Sequence, residues 1–391
     1  MSDFNKNAPV YLAHCPTYDV PALVTLMKDA FSSLGITSTL LSGKNVLLKP
    51  NLVMAKKPEF GATSHPAFME ALSAVCFDLG AASVTLADSP GGPYNAAALA
   101  LVYKTCGMDS ISDNRLVLNQ DFTWKTVSAS GVKLKSFHIL TAVDQADVII
   151  DVCKLKTHSL TGMSCAVKNL FGIIPGLEKF EMHSSYPKIP DFSEMLVDLA
   201  EYLTHNKTFI AVCDGVLSME GNGPTHGVPK KTDLLLVSHS PFALDIIAEH
   251  LMKLDGEIVH LNCAANRNLV PRDWREIPLA GQWNTESCPR FEFQPPDTGT
   301  GKFLKNLPDF MGGRLAKLFE TKPEILENKC VGCGKCVSSC PMHTITVEQK
   351  KNGRKCAVIH RKNCIRCYCC QELCPIGAVG TKQNPLIKLI H

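Results

Sequence analysis

Two cysteine runs near the C-terminus carry the most specific chemistry in the chain. The first reads Cys330-x-x-Cys333-x-x-Cys336-x-x-x-Cys340-Pro341, and the second Cys364-x-x-Cys367-x-x-Cys370-x-x-x-Cys374-Pro375. This spacing wraps cubane iron–sulfur clusters. Three closely spaced thiolates curl around one cluster, and the fourth, followed by proline, reaches the other. The pattern assigns Cys330, Cys333, Cys336 and Cys374 to one 4Fe-4S cluster, and Cys364, Cys367, Cys370 and Cys340 to a second. Cys369 adds a thiol beside the second set. Zinc sites come instead as cysteine pairs without the Cys-Pro ending. Disulfides would need an oxidising compartment, and Met1 to Ala8 is polar, with no apolar signal core.

A second concentration of reactive side chains lies mid-chain. It runs Lys154-Leu155-Lys156-Thr157-His158, Thr161-Gly162, Lys168-Asn169, Gly172, Pro175-Gly176 and His183. Lysines and histidines set among glycines suit an anionic substrate or a metal, because glycine lets the backbone approach closely. The competing reading is a solvated loop with surface lysines. Lys154, Lys156, His158, Lys168 and His183 are the candidate catalytic residues. Glu220-Gly221-Asn222-Gly223 reads either as a backbone nest for an anion or as a tight turn. Gly91-Gly92 lacks the dinucleotide fingerprint, and neither a phosphate loop nor a nucleophile elbow is present.

The elements that must position these residues follow from periodicity. Strands are expected at 10–14, 46–48, 83–87, 147–152, 208–213 and 234–237. Helices are expected from Asp19, after Pro66, over 94–106, from Asp191 to Asn206, and from Pro241 to Leu254. This alternation predicts an α/β body with a mostly parallel sheet. Ligands of such sheets bind beyond the carboxyl ends of the strands, where Lys49, Asn51, His65, Asp88 and Ser89 fall. Prolines and glycines accumulate after residue 263. The expected organisation is a body over 1–263, a proline-rich connector over 264–325, and a small α+β cluster domain over 326–391. Between the cysteine runs, 344–347 and 356–359 read as two strands joined at Asn352-Gly353.

Composition is that of a globular chain of 391 residues, 45% hydrophobic and 20% charged, with net charge +3. No basic block with interleaved aromatics argues for nucleic acid, and no apolar run is long enough to span a membrane. Beyond the eight assigned to clusters, the remaining ten of 18 cysteines show no pairing pattern. They read as reduced core thiols, which implies a reducing, cytoplasmic setting.

The C-terminal segment resembles two-cluster bacterial ferredoxins. The body resembles the family called domain of unknown function 362, often fused to such a unit. The residues that carry this resemblance are Lys49-Pro50-Asn51-Leu52, Thr63-Ser64-His65-Pro66, Lys154 to Gly162, Val167-Lys168-Asn169-Leu170-Phe171-Gly172 and Met219-Glu220-Gly221-Asn222-Gly223-Pro224. More distantly, His158, Lys168, Gly172-x-x-Pro175-Gly176 and His183 are similar to the lactate racemase family. That similarity would imply a nickel-pincer nucleotide on Lys168, nickel on His183 and proton transfer by His158. The residues before the lysine are Ala166-Val167, where that family has a glycine pair.

The expected function is that of an iron–sulfur oxidoreductase. Two 4Fe-4S clusters would exchange electrons with a soluble donor or acceptor and pass them to a small anionic substrate in the body. The alternatives are an electron-transfer or docking module without its own chemistry, and a nickel-pincer isomerase.

Overall fold

The strand that organises the molecule is longer than its apolar core. The structure, a computed structural model, describes residues 6–298 and 321–382. The body strands are β1 (Val10–His14), β2 (Asn45–Pro50), β3 (Ser83–Leu86) and β4 (Leu116–Leu118). A separate hairpin follows, β5 (Trp124–Ser128) and β6 (Ser136–Leu140). The body sheet then resumes with β7 (Val148–His158), β8 (Gly162–Ser164), β9 (Thr208–Glu220), β10 (Val228–Ser238) and β11 (Leu279–Gly281). The sheet order is β11-β1-β10-β9-β7-β2-β3-β4, with β8 folded back on β7. From β9 through β4 the neighbours run parallel, as do β1 and β11, whereas β10 is antiparallel to β1 and β9. The body is thus α/β with a mostly parallel sheet, as the alternation of elements predicts.

Helices cover both faces. On one face Val148, Ile150 and Val152 of β7 pack with Leu23 of helix Val20–Ser33 and Phe68 of helix Pro66–Asp78. On the other, Ile149, Cys153 and Leu155 pack with Phe192 of helix Ile189–Asn206 and Phe242 of helix Pro241–Leu251. Burial on both sides is why this strand reads as a continuous apolar run. The first helix starts as its sequence implies. The Asp19 side chain accepts from the Ala22 amide at 3.0 Å and Pro21 sits in the first turn. Helix Ile189–Asn206 starts two residues before Asp191, because Pro190 takes its first turn and leaves Asp191 inside it.

The largest departure from expectation is at β7. The sequence places Lys154 to His158 in a segment beyond the strand, but they are strand residues and all are buried. The reason is β9, which continues alongside, pairing Lys154 with Asp214 and, after a register shift, Lys156 with Met219. Backbone groups are satisfied across the extension, so only the lysine heads need partners.

The cluster domain is a pair of small antiparallel ribbons. β12 (Lys322–Ile325) pairs with β15 (Val379–Lys382), and β13 (Ile345–Gln349) with β14 (Lys355–Ile359). Short helices Lys335–Ser338 and Cys369–Glu372 carry the third cysteine of each run, an internal duplication that matches the repeat in sequence. Within the expected connector, β11 joins the edge of the body sheet, and residues 299–320 lie outside the described residues.

One buried carboxylate fixes the β5–β6 hairpin to the helix layer behind the sheet. Asp198 accepts from the amides of Val132 (2.8 Å), Lys133 (2.5 Å) and Leu134 (2.8 Å), and pairs with Arg267 at 2.7 Å. Asp198→Ala orphans four donors, so it should cost about 3 kcal/mol. Asp198→Asn should cost less, with both read from anaerobic chemical denaturation.

Candidate functional site

The carboxyl ends of β2, β3 and β7 converge on a cavity of about 70 Å3. β2 delivers Lys49, the turn after β3 delivers Asp88 and Ser89, and β7 delivers Lys156 and His158. A short helix, Ala166–Asn169, adds Lys168 and Asn169, and helix Glu178–Ser185 adds Lys179 and His183. Four lysines thus face one small volume, and each is at least nine-tenths buried.

Their heads are held in different ways. Lys49 Nζ lies 2.8 Å from Asp88 Oδ1 and donates to the Pro50 carbonyl (2.7 Å) and Asn169 Oδ1 (3.1 Å). Lys179 Nζ donates to the Ser89 carbonyl (2.9 Å), Ser89 Oγ (2.7 Å) and the Ile174 carbonyl (2.8 Å), which uses all three of its protons. Lys156 Nζ donates to Asn51 Oδ1 (3.0 Å) and the Ala62 carbonyl (2.6 Å), which leaves one proton over. Lys168 Nζ has no hydrogen-bond acceptor among the described residues and rests 4.6 Å from the centre of the Phe171 ring. Aromatic faces attract cations but do not replace an acceptor. Desolvation pushes Lys168 down, and it pushes Lys156 and Lys179 down to about 7. The three acceptors around Lys179 nevertheless favour its protonated form.

The histidines are neutral. Burial, with Lys168 next in weight, drives His158 well below its usual range and His183 down to about 3. His158 Nδ1 accepts from the amides of Leu160 (3.1 Å) and Thr161 (3.4 Å), so the ring proton sits on Nε2. That Nε2 is buried without a partner among the described residues and lines the cavity, so it is a donor in wait. His183 stacks on Phe192 with ring centres 4.4 Å apart. Lys156, His158, Lys168 and His183 are therefore brought together, while Lys154 is not. Its ammonium lies 2.8 Å from Asp214, both side chains fully buried, and 3.1 Å from the Tyr18 hydroxyl.

Other residues read from sequence resolve into structural roles. His65 caps helix Pro66–Asp78 through Nδ1 and stacks on Tyr18. The Gly221 and Gly223 amides are spent on the carbonyls of Gln294 and Gly221, so Glu220 to Gly223 is a tight turn. Cys153, Cys165 and Cys213 lie 3.5 and 3.6 Å apart in sequence, packed into the apolar core as small side chains. Sequence reasoning missed Lys179. It also missed the cavity's far wall, which comes from the cluster domain.

That wall is Cys369, Glu372 and Leu373. The Thr225 hydroxyl donates to the Glu372 carbonyl at 2.8 Å, and Leu373 fills the space a side chain at Gly91 would take. The cysteines themselves form two cages. Cys330, Cys333, Cys336 and Cys374 line one hollow, and Cys340, Cys364, Cys367 and Cys370 line another, which Cys369 also lines. The first hollow offers four thiols and the second five, so each can supply the four-thiolate donor set of a cubane. Backbone amides point at the sulfurs: Ala357 at Cys330 (3.4 Å), Ala378 at Cys374 (3.1 Å) and Thr344 at Cys340 (3.4 Å). Cys369 therefore stands between the second cage and the lysine cavity.

Comparison with known proteins agrees with this division. The family model described as domain of unknown function, DUF362, matches residues 46–250, and a 4Fe-4S dicluster domain matches residues 329–378. A thylakoid-associated protein of Synechocystis sp. is 29% identical over 266 residues, covering 66% of this chain and 78% of its own. A ferredoxin of Methanothermococcus thermolithotrophicus is 33% identical over 58 residues, covering 14% of this chain and 90% of its own. Among solved structures, the lactate racemase apoprotein of Thermoanaerobacterium thermosaccharolyticum is 12% identical with a TM-score of 0.39, covering 65% of this chain and 59% of that one. At that level no residue role carries over. Among the described residues no helix is long and apolar enough to cross a membrane.

The cavity depends on a glycine. A Cβ at Gly172 would lie 2.1 Å from Asp88 Oδ1 and 2.7 Å from Lys49 Nζ. Gly172→Ala should force that pair apart at a cost of about 3 kcal/mol. Thermal denaturation of the anaerobically purified variant measures this, and iron content should stay at the wild-type level because the cages lie elsewhere.

Proposed function

The chain belongs to the DUF362 family and carries a ferredoxin-type 4Fe-4S domain with an electron-transfer role; we propose that it binds two cubane clusters and delivers electrons to a small anion held in the lysine cavity. The observation that carries this reading is the shared wall: Cys369 lines both the second cysteine cage and the cavity. When bound, such clusters supply single electrons at a potential set by hydrogen bonds to the sulfurs, net charge and exposure.

The residues of the chain divide the remaining work. Lys168, with no acceptor of its own, and the spare proton of Lys156 hold the negative charge of the ligand. His158 donates its Nε2 proton as a hydrogen bond and fixes orientation, since its Nδ1 is committed to two amides. Lys49 and Lys179 are anchored by protein acceptors and set the positive potential of the floor. The group best poised to give up a proton near neutrality is Lys156, at about 7. Glu372 and Leu373 wall one side of the cavity, which removes solvent there and strengthens these interactions. Lys154, tied to Asp214, holds β7 to β9 and takes no part in the chemistry.

Two measurements test this. Iron and acid-labile sulfide should each come to about eight per chain, falling to about four in Cys364→Ala if that cage is lost alone. Protein reduced with dithionite, freed of excess reductant and mixed anaerobically with a panel of 2-oxo acids and small oxyanions should be reoxidised by at least one of them. Lys168→Met should slow that reaction at least about 100-fold with cluster spectra unchanged. Equal rates in wild type and Lys168→Met for every anion would overturn the cavity's role.

The pH dependence follows from the lysines. In the free protein burial lowers Lys156 and Lys179 to about 7 from 10.5. A bound anion favours their charged forms, so binding takes up protons above pH 7. Affinity should be constant below that value and fall above it, by up to about tenfold per pH unit for each proton taken up. Calorimetry in buffers of different ionisation enthalpy counts those protons, and Lys156→Met should reduce the count.

A further inference from the structure

The two cysteine cages differ in exposure, and the first has an unusual surface. Residues 321–382 hold eleven lysines and arginines against four acidic residues, whereas the rest of the chain holds 29 against 33. Part of this excess balances the negative charge of thiolate-bound clusters. That does not account for where the lysines point. Lys329, Lys335 and Lys355 are exposed and form no ion pair among the described residues. All three border the first cage. Lys329 and Lys335 each precede a cage cysteine, and Lys355 packs so closely on the loop at Gly332 that a Cβ there would lie 2.6 Å from its own.

At the centre of this basic rim the cage comes to the surface. Cys333 is exposed, and Val331 beside it is 64% exposed, the most exposed large hydrophobic side chain in the described residues. The second cage differs. None of its four cysteines is exposed, and its neighbour Cys369 is buried against the body cavity. A ligand sulfur at the surface, an apolar contact next to it and a ring of unpaired positive charge are what a transient electron-transfer encounter uses. The charge steers and orients the partner, and the small apolar contact brings the centres close without slowing release.

We propose that the rim formed by Lys329, Val331, Cys333, Lys335 and Lys355 is the docking surface for an acidic one-electron carrier protein, so that electrons enter at the first cage and leave through the second. Each encounter would move one electron from the reduced carrier to the oxidised 4Fe-4S cluster that Cys330, Cys333, Cys336 and Cys374 would hold, leaving the carrier oxidised by one electron and that cluster reduced by one. No proton or leaving group is involved. The inference rests on the electron-transfer reading of the cluster domain but not on the identity of the cavity's ligand.

The test uses the full-length, cluster-loaded protein, oxidised, with no acceptor added. It is mixed in a stopped-flow instrument with a reduced acidic carrier, a small ferredoxin or a flavodoxin, across a range of ionic strength. Wild type should be reduced quickly at low salt and progressively slower as salt rises. The triple variant Lys329→Glu, Lys335→Glu, Lys355→Glu should lose at least about tenfold in the low-salt rate and most of the salt dependence. Reduction of the same variant by a photoreduced deazaflavin, and its iron content, should match wild type, which separates lost docking from lost clusters. Val331→Ser should slow the carrier but leave the salt slope in place. A triple variant reduced by the acidic carrier at the wild-type rate would overturn the assignment, as would a wild type that a basic carrier reduces equally fast. Because no cavity ligand is present, either failure leaves the cavity reading untouched, and a failed anion screen leaves this one untouched.

Discussion

Withdrawing lysine ammonium groups from water at one edge of a parallel sheet is the constraint on which the rest of this structure depends. A buried cation is tolerated only with close acceptors or counter-charge. The fold supplies these one lysine at a time. Lys49 has Asp88, Lys154 has Asp214, and Lys179 has three oxygens. Several features exist to make room for them. β9 runs well past its apolar core and so brings Asp214 beside β7. Gly172 carries no side chain because the Lys49–Asp88 pair occupies the space. Asn169 bridges Lys49 to Asp151, whose carboxyl burial pushes well up and so toward its neutral form. Lys168 stands out because no acceptor among the described residues reaches its ammonium, which rests against Phe171 instead.

Much of the fold was legible because it rests on local signals. The cysteine runs specify a grouping by spacing alone; the structure lines one hollow with Cys330, Cys333, Cys336 and Cys374, and the other with Cys340, Cys364, Cys367 and Cys370 together with Cys369. Strand–helix alternation sufficed for the α/β body, and Asp19-x-Pro21 for the first helix start. What was not legible depends on contacts distant in sequence. Lys154 and Lys156 share a strand and a face, so periodicity treats them alike. Only Asp214, sixty residues on, separates a closed ion pair from a cavity group. The β7 extension was missed because lysines and a histidine read as polar loop, whereas partner strands and counter-charges made them buried strand. Lys179 looked like a surface lysine because its acceptors, Ser89 and the Ile174 carbonyl, are assembled by the fold. Cys369 carried a faint signal, a thiol beyond the count a cage needs.

The cluster domain's position closes the charge balance. Glu372 and Cys369 enter a cavity whose other walls carry four lysines, so a negative side chain from one domain faces positive ones from the other. The contact is anchored by Thr225 on the Glu372 carbonyl and by Leu373 over Gly91. The desolvation that lowers Lys156 and Lys168 is therefore partly the work of the cluster domain, and so is the nearby negative charge that raises them again. The lysine cavity and the second cysteine cage thus share a wall.

That proximity has a thermodynamic consequence. An electron arriving at a cluster held in the second cage would add negative charge on the far side of Cys369 from the cavity, where the proposed ligand is itself anionic. The two charges repel across a wall one residue thick, in a region screened little by solvent. Linkage is reciprocal, so the ligand must make reduction of that cage harder by the same free energy with which reduction weakens ligand binding. A site that merely stored electrons and anions would suffer from this coupling. A site that passes the electron on uses it. In the proposed reaction, transfer to the ligand would move that charge off the cluster, Lys156 would pass its proton to the reduced ligand, and reprotonation of Lys156 from solvent would restore the charge of the cavity. On that proposal, the lysines that would hold an anion in the cavity would also favour inward movement of charge, from the exposed rim at Cys333 toward the amine of Lys168.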